Sequence, residues 1–344
     1  MPIGKKTKNW IVGAVAVIAI IAIGVGAYKG QNKITASTTA SSTDDKNLRI
    51  VKTWTKKDCS LAPWLVTDKL GFFAEEGIKL VETGETQPAQ QIPSILTGDN
   101  DVASFHPNTI AVAKAGGAKI TGVARGDIEP DASVNPKQRH MWWFVKPDSG
   151  IKSFADLKNK PGKLKFSTIT NNICADFLAN LILDKAGIPR DKVEWVSMPD
   201  VQAIQALKQG LVDVAGVHPP FYKGMLNSGA IKVADSSDSG LGEAAGVTAY
   251  IFTDEFIAKN PDTVQRFVRA ITKGQKWANA HTVETAKMVE EAIGVPVTGN
   301  HFYSETAKLD ESQFLPWIKD LEDNKVIPVG KVTPATLITH QFEN

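Results

Sequence analysis

The sequence of 344 residues has few cysteines and no excess charge of either sign. Its two cysteines, Cys59 and Cys174, are too few for a disulfide framework. The 39 lysines and arginines nearly balance the 37 aspartates and glutamates, so no nucleic-acid partner is indicated. A P-loop, a G-x-S-x-G motif and an H-E-x-x-H motif are all absent from the sequence. The common signatures of nucleotide, acyl-transfer and zinc-protease sites are therefore missing.

The length and the composition predict a globular chain with two lobes. The residues are 42% hydrophobic and 22% charged, as in ordinary globular proteins. A chain of 344 residues is longer than the size at which a single core usually stops growing. We therefore expect two cores that are joined by crossover segments.

The N-terminal residues differ from the rest of the chain. Lys5, Lys6 and Lys8 precede an uncharged apolar stretch from Trp10 to Tyr28. This pattern predicts that residues 1–29 form an apolar helix that serves as a cleaved signal peptide or as an uncleaved membrane anchor. The basic flank predicts that the remainder lies outside the cytoplasm, secreted or anchored. Residues 30–47 are polar and low in complexity, which predicts a flexible tether.

One short layout occurs twice in the chain. "GDNDVASFHPNT" occupies 98–109 and "GLVDVAGVHPPF" occupies 210–221, so that His106 and His218 are offset by 112 positions. Each copy predicts a glycine that ends a helix, a short buried strand, and a His-Pro corner that opens the next helix. A proline suits the first turn of a helix because no backbone N–H is needed there.

The repeat extends upstream of these corners. "LRIVKTWTKKDC" and "KLKFSTITNNIC" each read as a strand, a polar corner and a cysteine, and each is followed by a helical stretch and a second strand. Alternating strands and helices predict an α/β fold with parallel sheets that are covered by helices. We expect one lobe from residues 48–140 plus 246–344 and a second lobe from residues 141–245.

Such a layout favours a binding site between the lobes. Ligands of parallel α/β sheets bind beyond the carboxyl ends of the strands, where the free N–H groups of helix N-termini attract polar or anionic atoms. The two His-Pro corners are expected to face each other across this cleft.

The chain resembles the type II periplasmic binding proteins, the receptors of ABC importers, and within them the nitrate/sulfonate/taurine group. The resemblance rests on "LAPWLVTDKLGFFAEEGIKLVETGETQPAQQIPSILTGDNDVA", "DSGIKSFADLKN", "LVDVAGVHPPF" and "FIAKNPDTVQRFVRAI", and it covers about Arg49 to His281. It implies a two-lobe fold with a ligand cleft, capture of a small polar or anionic solute, no catalysis and no cofactor. The implied partners are an ABC permease, its ATPase and the membrane through the N-terminal segment. Because the pattern departs from the group at both His-Pro corners, the resemblance does not fix the ligand.

The candidate ligand-binding residues lie on the predicted cleft corners. They are Trp54, Lys56, Cys59, Thr86, Gln87, His106, Asn108, Thr170, Asn171, Asn172, His218 and Phe221. Histidine can donate, accept or carry a positive charge, and corner aromatics can stack on a flat ligand.

Two alternatives remain open for this site. Cys59, His106, Cys174 and His218 offer the donor types that a thiophilic metal prefers, which would make the protein a receptor for a metal or a metal complex. The other alternative is an enzyme related to pyrimidine-precursor synthases on the same architecture. The cysteine-rich run of those synthases is absent from this sequence.

Overall fold

The strands form where β-branched and aromatic residues are concentrated in short runs, as in "RIVKT" and "AYIFT". The computed structural model describes residues 48–343, and the predicted apolar segment 1–29 and tether 30–47 lie outside the described residues. Over 48–343, none of the helices has the length and apolar character needed to cross a bilayer. The strands are β1 (Arg49–Thr53), β2 (Ile78–Glu82), β3 (Val102–Phe105), β4 (Ile120–Arg125), β5 (Asp127–Ile128), β6 (Trp142–Val145), β7 (Leu164–Thr168), β8 (Val193–Ser197), β9 (Ala215–Val217), β10 (Ile231–Asp235), β11 (Ala249–Thr253) and β12 (Phe302–Tyr303).

The helices cover these strands and connect them. They are α1 (Leu61–Lys69), α2 (Phe72–Glu75), α3 (Pro88–Leu96), α4 (Pro107–Ala115), α5 (Cys174–Lys185), α6 (Asp200–Gln209), α7 (Tyr222–Asn227), α8 (Asp254–Lys259), α9 (Pro261–Ala280), α10 (Thr282–Ile293), α11 (Glu311–Asp323) and α12 (Pro334–Leu337). The repeated His-Pro corners have the predicted local structure. Pro107 is the first residue of α4, and Pro219 begins a short 3₁₀ helix that leads into α7.

The first sheet contains the strands of the first repeat. β1 pairs with β2 in parallel, and β11 lies between β3 and β4, antiparallel to both. The two parts meet where the backbone N–H of Asp101 donates to the carbonyl of Lys52 at 2.9 Å, next to a bond from the Thr53 hydroxyl to the Val102 carbonyl. The resulting order is β4-β11-β3-β1-β2.

The second sheet repeats this order with the strands of the second repeat. β7 pairs with β8 in parallel, and β6 lies between β9 and β10, antiparallel to both. The backbone N–H of Ser167 donates to the carbonyl of Val214 at 3.0 Å and joins β7 to the segment that leads into β9. The resulting order is β10-β6-β9-β7-β8, which matches the first sheet position by position.

The prediction of parallel sheets was wrong for one strand in each sheet. β6 precedes the second repeat and β11 follows it, and each enters its sheet antiparallel. The physical reason is the double passage of the chain, which enters the second sheet through β6 and returns to the first through β11. The described residues form one compact unit, so the predicted lobe boundaries stay a prediction.

Helix α9 covers the first sheet with a long apolar face. Phe267 is fully buried in this helix and packs against Trp64 of α1 and Tyr250 of β11, with ring centroids 5.5 Å and 5.6 Å apart. Helices α1 and α9 lie close together at Gly274, where a β-carbon would lie 1.9 Å from the hydroxyl oxygen of Thr67. The absence of a side chain at this position therefore permits the close packing.

Candidate functional site

A cavity of about 150 Å³ is lined by residues that follow strands of both sheets. Trp54 and Cys59 follow β1, and His106 follows β3 in the first sheet. Cys174 begins α5 after β7, and His218 follows β9 in the second sheet. The equivalent corners of the two repeats therefore contribute to one cavity, as the repeat predicted.

His218 is held by a carboxylate on its outer side. Asp200, the first residue of α6, accepts hydrogen bonds from the His218 ring Nδ1 at 2.6 Å and from its backbone N–H at 3.2 Å. Both side chains are buried. Burial alone would lower the pKa of His218, but the Cys59 thiol and the Asp200 carboxylate outweigh it, and the pKa lies well above the usual 6.5. Because Nδ1 is occupied, Nε2 is the nitrogen that points toward the cysteines.

Cys174 contacts imidazoles from both repeats. Its Sγ lies 3.3 Å from the Nε2 of His218, and it also interacts with the ring of His106. Burial would raise the pKa of this thiol, but the His106 and His218 rings outweigh that effect and lower it to about 7. An ionised sulfur is the form of cysteine that acts as a nucleophile or a metal ligand. Cys174 is therefore chemically competent near neutral pH.

His106 is held by the backbone and by a tryptophan. Its Nδ1 donates to the carbonyl of Val247 at 2.8 Å. The ring stacks on Trp317 of α11, with centroids 5.1 Å apart and planes inclined by 13°. Trp317 also packs on Phe177 of α5 at 4.3 Å and donates its indole N–H to the carbonyl of Ala244 at 2.9 Å. One buried indole thus positions His106 and joins both repeats to the returning crossover.

His140 lies between the two corner histidines. Its ring centroid is 4.8 Å from that of His106 and 5.4 Å from that of His218. The side chain is 1% exposed, and neither ring nitrogen has a hydrogen-bond partner. Burial lowers the pKa of His140 well below 6.5, and the neighbouring His301 ring adds a smaller effect in the same direction. The His140 ring is therefore neutral. A neutral, buried and unpartnered imidazole offers one unused N–H donor and one unused nitrogen lone pair, and the lone pair can bind a metal ion.

His301 belongs to the same group, although sequence reasoning missed it. Its Nδ1 donates to the carboxylate of Asp127 at 2.8 Å, while its buried Nε2 has no partner. The ring lies 4.4 Å from that of His140 between centroids. Neither His301 nor Asp127 has an equivalent in the repeat. A search for every buried histidine, rather than for repeated ones, is the signal that could have found them.

Cys59 and Lys56 also line the cavity, on the side of the first sheet. Cys59 is partly exposed, and burial of its sulfur raises the pKa of the thiol to about 12. Lys56 is 4% exposed, and burial lowers the pKa of its ammonium group from 10.5 to about 7. Its Nζ donates to the hydroxyl of Thr53 at 2.7 Å. Lys56 is thus buried, and its ammonium group loses its proton more readily than that of an exposed lysine.

Most of the other predicted site residues lie outside this cavity. Thr170 lines the same cavity, whereas Thr86, Gln87 and Phe221 line an adjoining cavity of about 200 Å³. The remaining three predicted residues are asparagines. Asn108 and Asn172 line a third cavity of about 180 Å³. Asn108 turns away because α4 buries its side chain, whose oxygen accepts from the backbone N–H of Thr109. Asn171 is exposed.

We call the central group the Cys/His cluster, defined as Cys59, His106, His140, Cys174, His218 and His301. Single donor atoms of His106, His140 and Cys174 lie within 4.8 Å of one another, and the same holds for Cys59, His218 and His301. The four residues of the metal alternative are thus brought close together, with two further histidines. The arrangement can donate protons, present a thiolate or surround a cation.

The fold is that of the α/β periplasmic binding proteins. The periplasmic aliphatic sulphonate binding protein of Escherichia coli aligns with a TM-score of 0.65 and 18% identity over 85% of this chain and 92% of that chain. The nitrate-binding protein of Synechocystis aligns with a TM-score of 0.69 and 13% identity over 86% of each chain. At these identities the likeness shows the fold alone.

The chain belongs to the NMT1/THI5 like family, whose model matches residues 59–285. A relative from Brucella abortus, which carries the name of a binding protein, is 23% identical over 232 residues and 67% of each sequence. These matches confirm the resemblance to solute-binding proteins that the sequence predicted. An enzyme also has this architecture, since the structure of a desulfurization enzyme aligns with a TM-score of 0.54 and 15% identity over 81% of this chain and 93% of that chain.

Proposed function

We propose that this protein is an extracytoplasmic receptor that captures a small solute between two lobes and delivers it to an ABC permease and its ATPase. The main support for this proposal is one cavity that is lined by the corresponding corners of both repeats, with His106 from one repeat and His218 from the other. A solute there contacts residues from both sheets. It would favour whichever arrangement of the lobes allows both sets of contacts.

The size of the cavity supports a small solute. Drug-sized ligands occupy pockets of about 300–1,000 Å³. The cavity measures about 150 Å³, the space of roughly five water molecules. An ion, a hydrated ion or a small organic molecule fits this space.

The chain passes between the sheets twice, which supports a hinged closure. The first passage runs from the end of β5 at Ile128 to Trp142 of β6. The second runs from the end of β10 at Asp235 to Ala249 of β11. We propose lobes at 48–140 plus 246–344 and at 141–245, with closure about these two passages. The basic and apolar residues of 1–29 would export the chain or anchor it to the membrane.

We propose that the protein has no enzymatic activity. A second candidate, an enzyme on the same fold, is favoured by one observation, the contact of 3.3 Å between the Cys174 sulfur and the His218 ring. Such a pair is typical of activated cysteine nucleophiles. The relatives that are named binding proteins support the receptor.

The receptor is tested by thermal unfolding of the purified protein against separate sulfonates, nitrate, small organic solutes and divalent metal ions. A true solute at about 100 times its dissociation constant stabilises the folded state by about 2.7 kcal/mol. With an unfolding entropy of about 2.1 cal/mol/K per residue over 344 residues, Tm should then rise by about 4 °C. Small-angle scattering of the same sample should show a smaller radius of gyration. Chemical conversion of the stabilising solute, or stabilisation by none of the panel, would contradict the receptor function.

A further inference from the structure

The histidines of the Cys/His cluster share one feature of metal ligands. The Nδ1 atoms of His106, His218 and His301 are each occupied by an oxygen acceptor: the Val247 carbonyl, the Asp200 carboxylate and the Asp127 carboxylate. Metal-bound histidines almost always have the second ring nitrogen held by such a carbonyl or carboxylate, which fixes the orientation of the ring. The opposite nitrogen is thereby left for a ligand.

Three buried ring nitrogens of the cluster have no hydrogen-bond partner. His140 has two buried nitrogens without a hydrogen bond, and the Nε2 of His301 is also unpartnered. A buried polar group without a hydrogen bond costs about 1–3 kcal/mol. Several such groups in one place are readily explained by a ligand that satisfies them together.

The spacing within the cluster suits a tetrahedral metal ion. Zinc bonds of about 2.3 Å to sulfur and about 2.0 Å to nitrogen place two such ligands about 3.5 Å apart in tetrahedral geometry. The Cys174 sulfur lies 3.3 Å from the His218 Nε2. Donor atoms of Cys174, His106 and His140 all lie within 4.8 Å of one another, so small side-chain shifts bring them to one ion.

The cavity combines carboxylates with nitrogen and sulfur donors, and a metal ion displaces the Nε2 proton of His218 when it binds. Asp58 and Asp127 belong to its lining, and Asp200 lies behind His218. Among the described residues that line this cavity there is no arginine, and Lys56 points its Nζ toward Thr53 and the Trp54 carbonyl. Nitrogen and sulfur donors select zinc, cobalt, nickel or copper rather than magnesium or calcium.

We propose that the solute of this receptor is a thiophilic divalent transition-metal ion, held by Cys174, His106 and His140 with His218 as the fourth ligand. The inference rests on the proposed receptor function. The metal is the cargo, and the rest of the 150 Å³ cavity leaves room for water or a small chelator beside it. His140 enters this ligand set in place of Cys59, which the sequence alone would have chosen.

Cobalt(II) spectroscopy of the purified protein tests the proposal directly. Cobalt(II) is added to the reduced protein under anaerobic conditions, alone and as its citrate and histidine complexes. We expect a saturable spectrum with tetrahedral visible bands and a thiolate-to-cobalt charge-transfer band. The arm that saturates at the lower concentration identifies the bare ion or the chelate as cargo. An octahedral spectrum without the charge-transfer band in every arm would overturn the metal site.

Three variants identify the ligands. Loss of an outer partner of a metal ligand costs about 10–100-fold in affinity, so Cys174→Ser, which removes a ligand, should cost at least about 100-fold and abolish the charge-transfer band. His140→Gln should cost at least about 10-fold and keep that band. His340→Gln is the matched control, because this histidine is half-exposed and paired with Glu343 outside the cavity. A wild-type spectrum in Cys174→Ser overturns the assignment, and His140→Gln tests it independently if the serine variant does not fold.

The two proposals can fail separately. Stabilisation by a sulfonate or by nitrate, with no tetrahedral cobalt spectrum, overturns the metal inference and leaves the receptor function intact. Conversion of a solute into product overturns the receptor function, even where cobalt binds at Cys174.

Discussion

Replacement of Trp317 by phenylalanine tests whether one buried indole supports both the fold and the site. Trp317 is completely buried, stacks on His106 and Phe177, and donates its indole N–H to the carbonyl of Ala244. Phenylalanine keeps an aromatic ring in the same place but lacks the donor and two ring carbons. The variant therefore removes the links to the crossover while it leaves most of the packing.

The expected loss follows from these contacts. Two fewer buried carbons cost about 1.5 kcal/mol at about 0.8 kcal/mol each. The Ala244 carbonyl, left buried without its donor, costs about 1–3 kcal/mol more. The free energy of unfolding should thus fall by about 3 kcal/mol. With an unfolding entropy of about 2.1 cal/mol/K per residue over 344 residues, Tm changes by about 1.4 °C per kcal/mol and should fall by about 4 °C.

The assay is urea and thermal unfolding followed by circular dichroism, with Trp195→Phe as the matched control. Trp195 is partly exposed, contacts Phe166 at 5.5 Å between ring centroids, and should cost less than about 1.5 kcal/mol. Cobalt affinity should fall in Trp317→Phe, because the His106 ring loses part of the surface that positions it. Equal losses of stability in the two variants would refute the reasoning.

Three further predictions concern packing, charge and the position of a ligand. Gly274→Ala should lower Tm despite the better helix propensity of alanine, because its β-carbon would meet the Thr67 hydroxyl, and a rise in Tm would contradict the helix contact. Lys56→Met should be more stable than wild type by up to about 5 kcal/mol below pH 7, because burial lowers the pKa of this lysine from 10.5 to about 7 and its protonation destabilises the folded state. That advantage should shrink as pH rises from 7 toward 10.5, and urea unfolding at pH 6 and 9 that gives equal differences would contradict it. Asp200→Asn should weaken cobalt binding by about 10–100-fold, since this carboxylate orients His218, and an unchanged titration would show that the orientation does not matter.

The repeated corners were predictable from the sequence because their signals are local. A glycine, a short run such as "DVASF" and a His-Pro pair specify a helix end, a strand and a new helix within a dozen residues. The same offset then places His106 and His218 at equivalent ends of two sheets. The repeat alone thus predicted that both would line one site.

The other two histidines of the cluster could not be predicted in this way. His140 lies just before β6 and His301 just before β12, outside both repeats, so no offset points to them. Their approach depends on the crossover and on the return of the C-terminal residues to the first sheet. The prediction for Asn108 was wrong for a local reason. This residue belongs to the first turn of α4, and the helix decides where its side chain points.

The position of β11 between β3 and β4 has a consequence for the synthesis of the chain. β3 and β4 cannot be bridged until β11 emerges from the ribosome, more than a hundred residues after β3 is complete. At about 5–20 residues per second, that delay lasts roughly 7–30 s. During this interval two strand edges are open to wrong partners, and a chaperone that holds the nascent chain extended would protect it. In the proposed export of the chain, the same delay would keep it unfolded long enough for threading through an export channel.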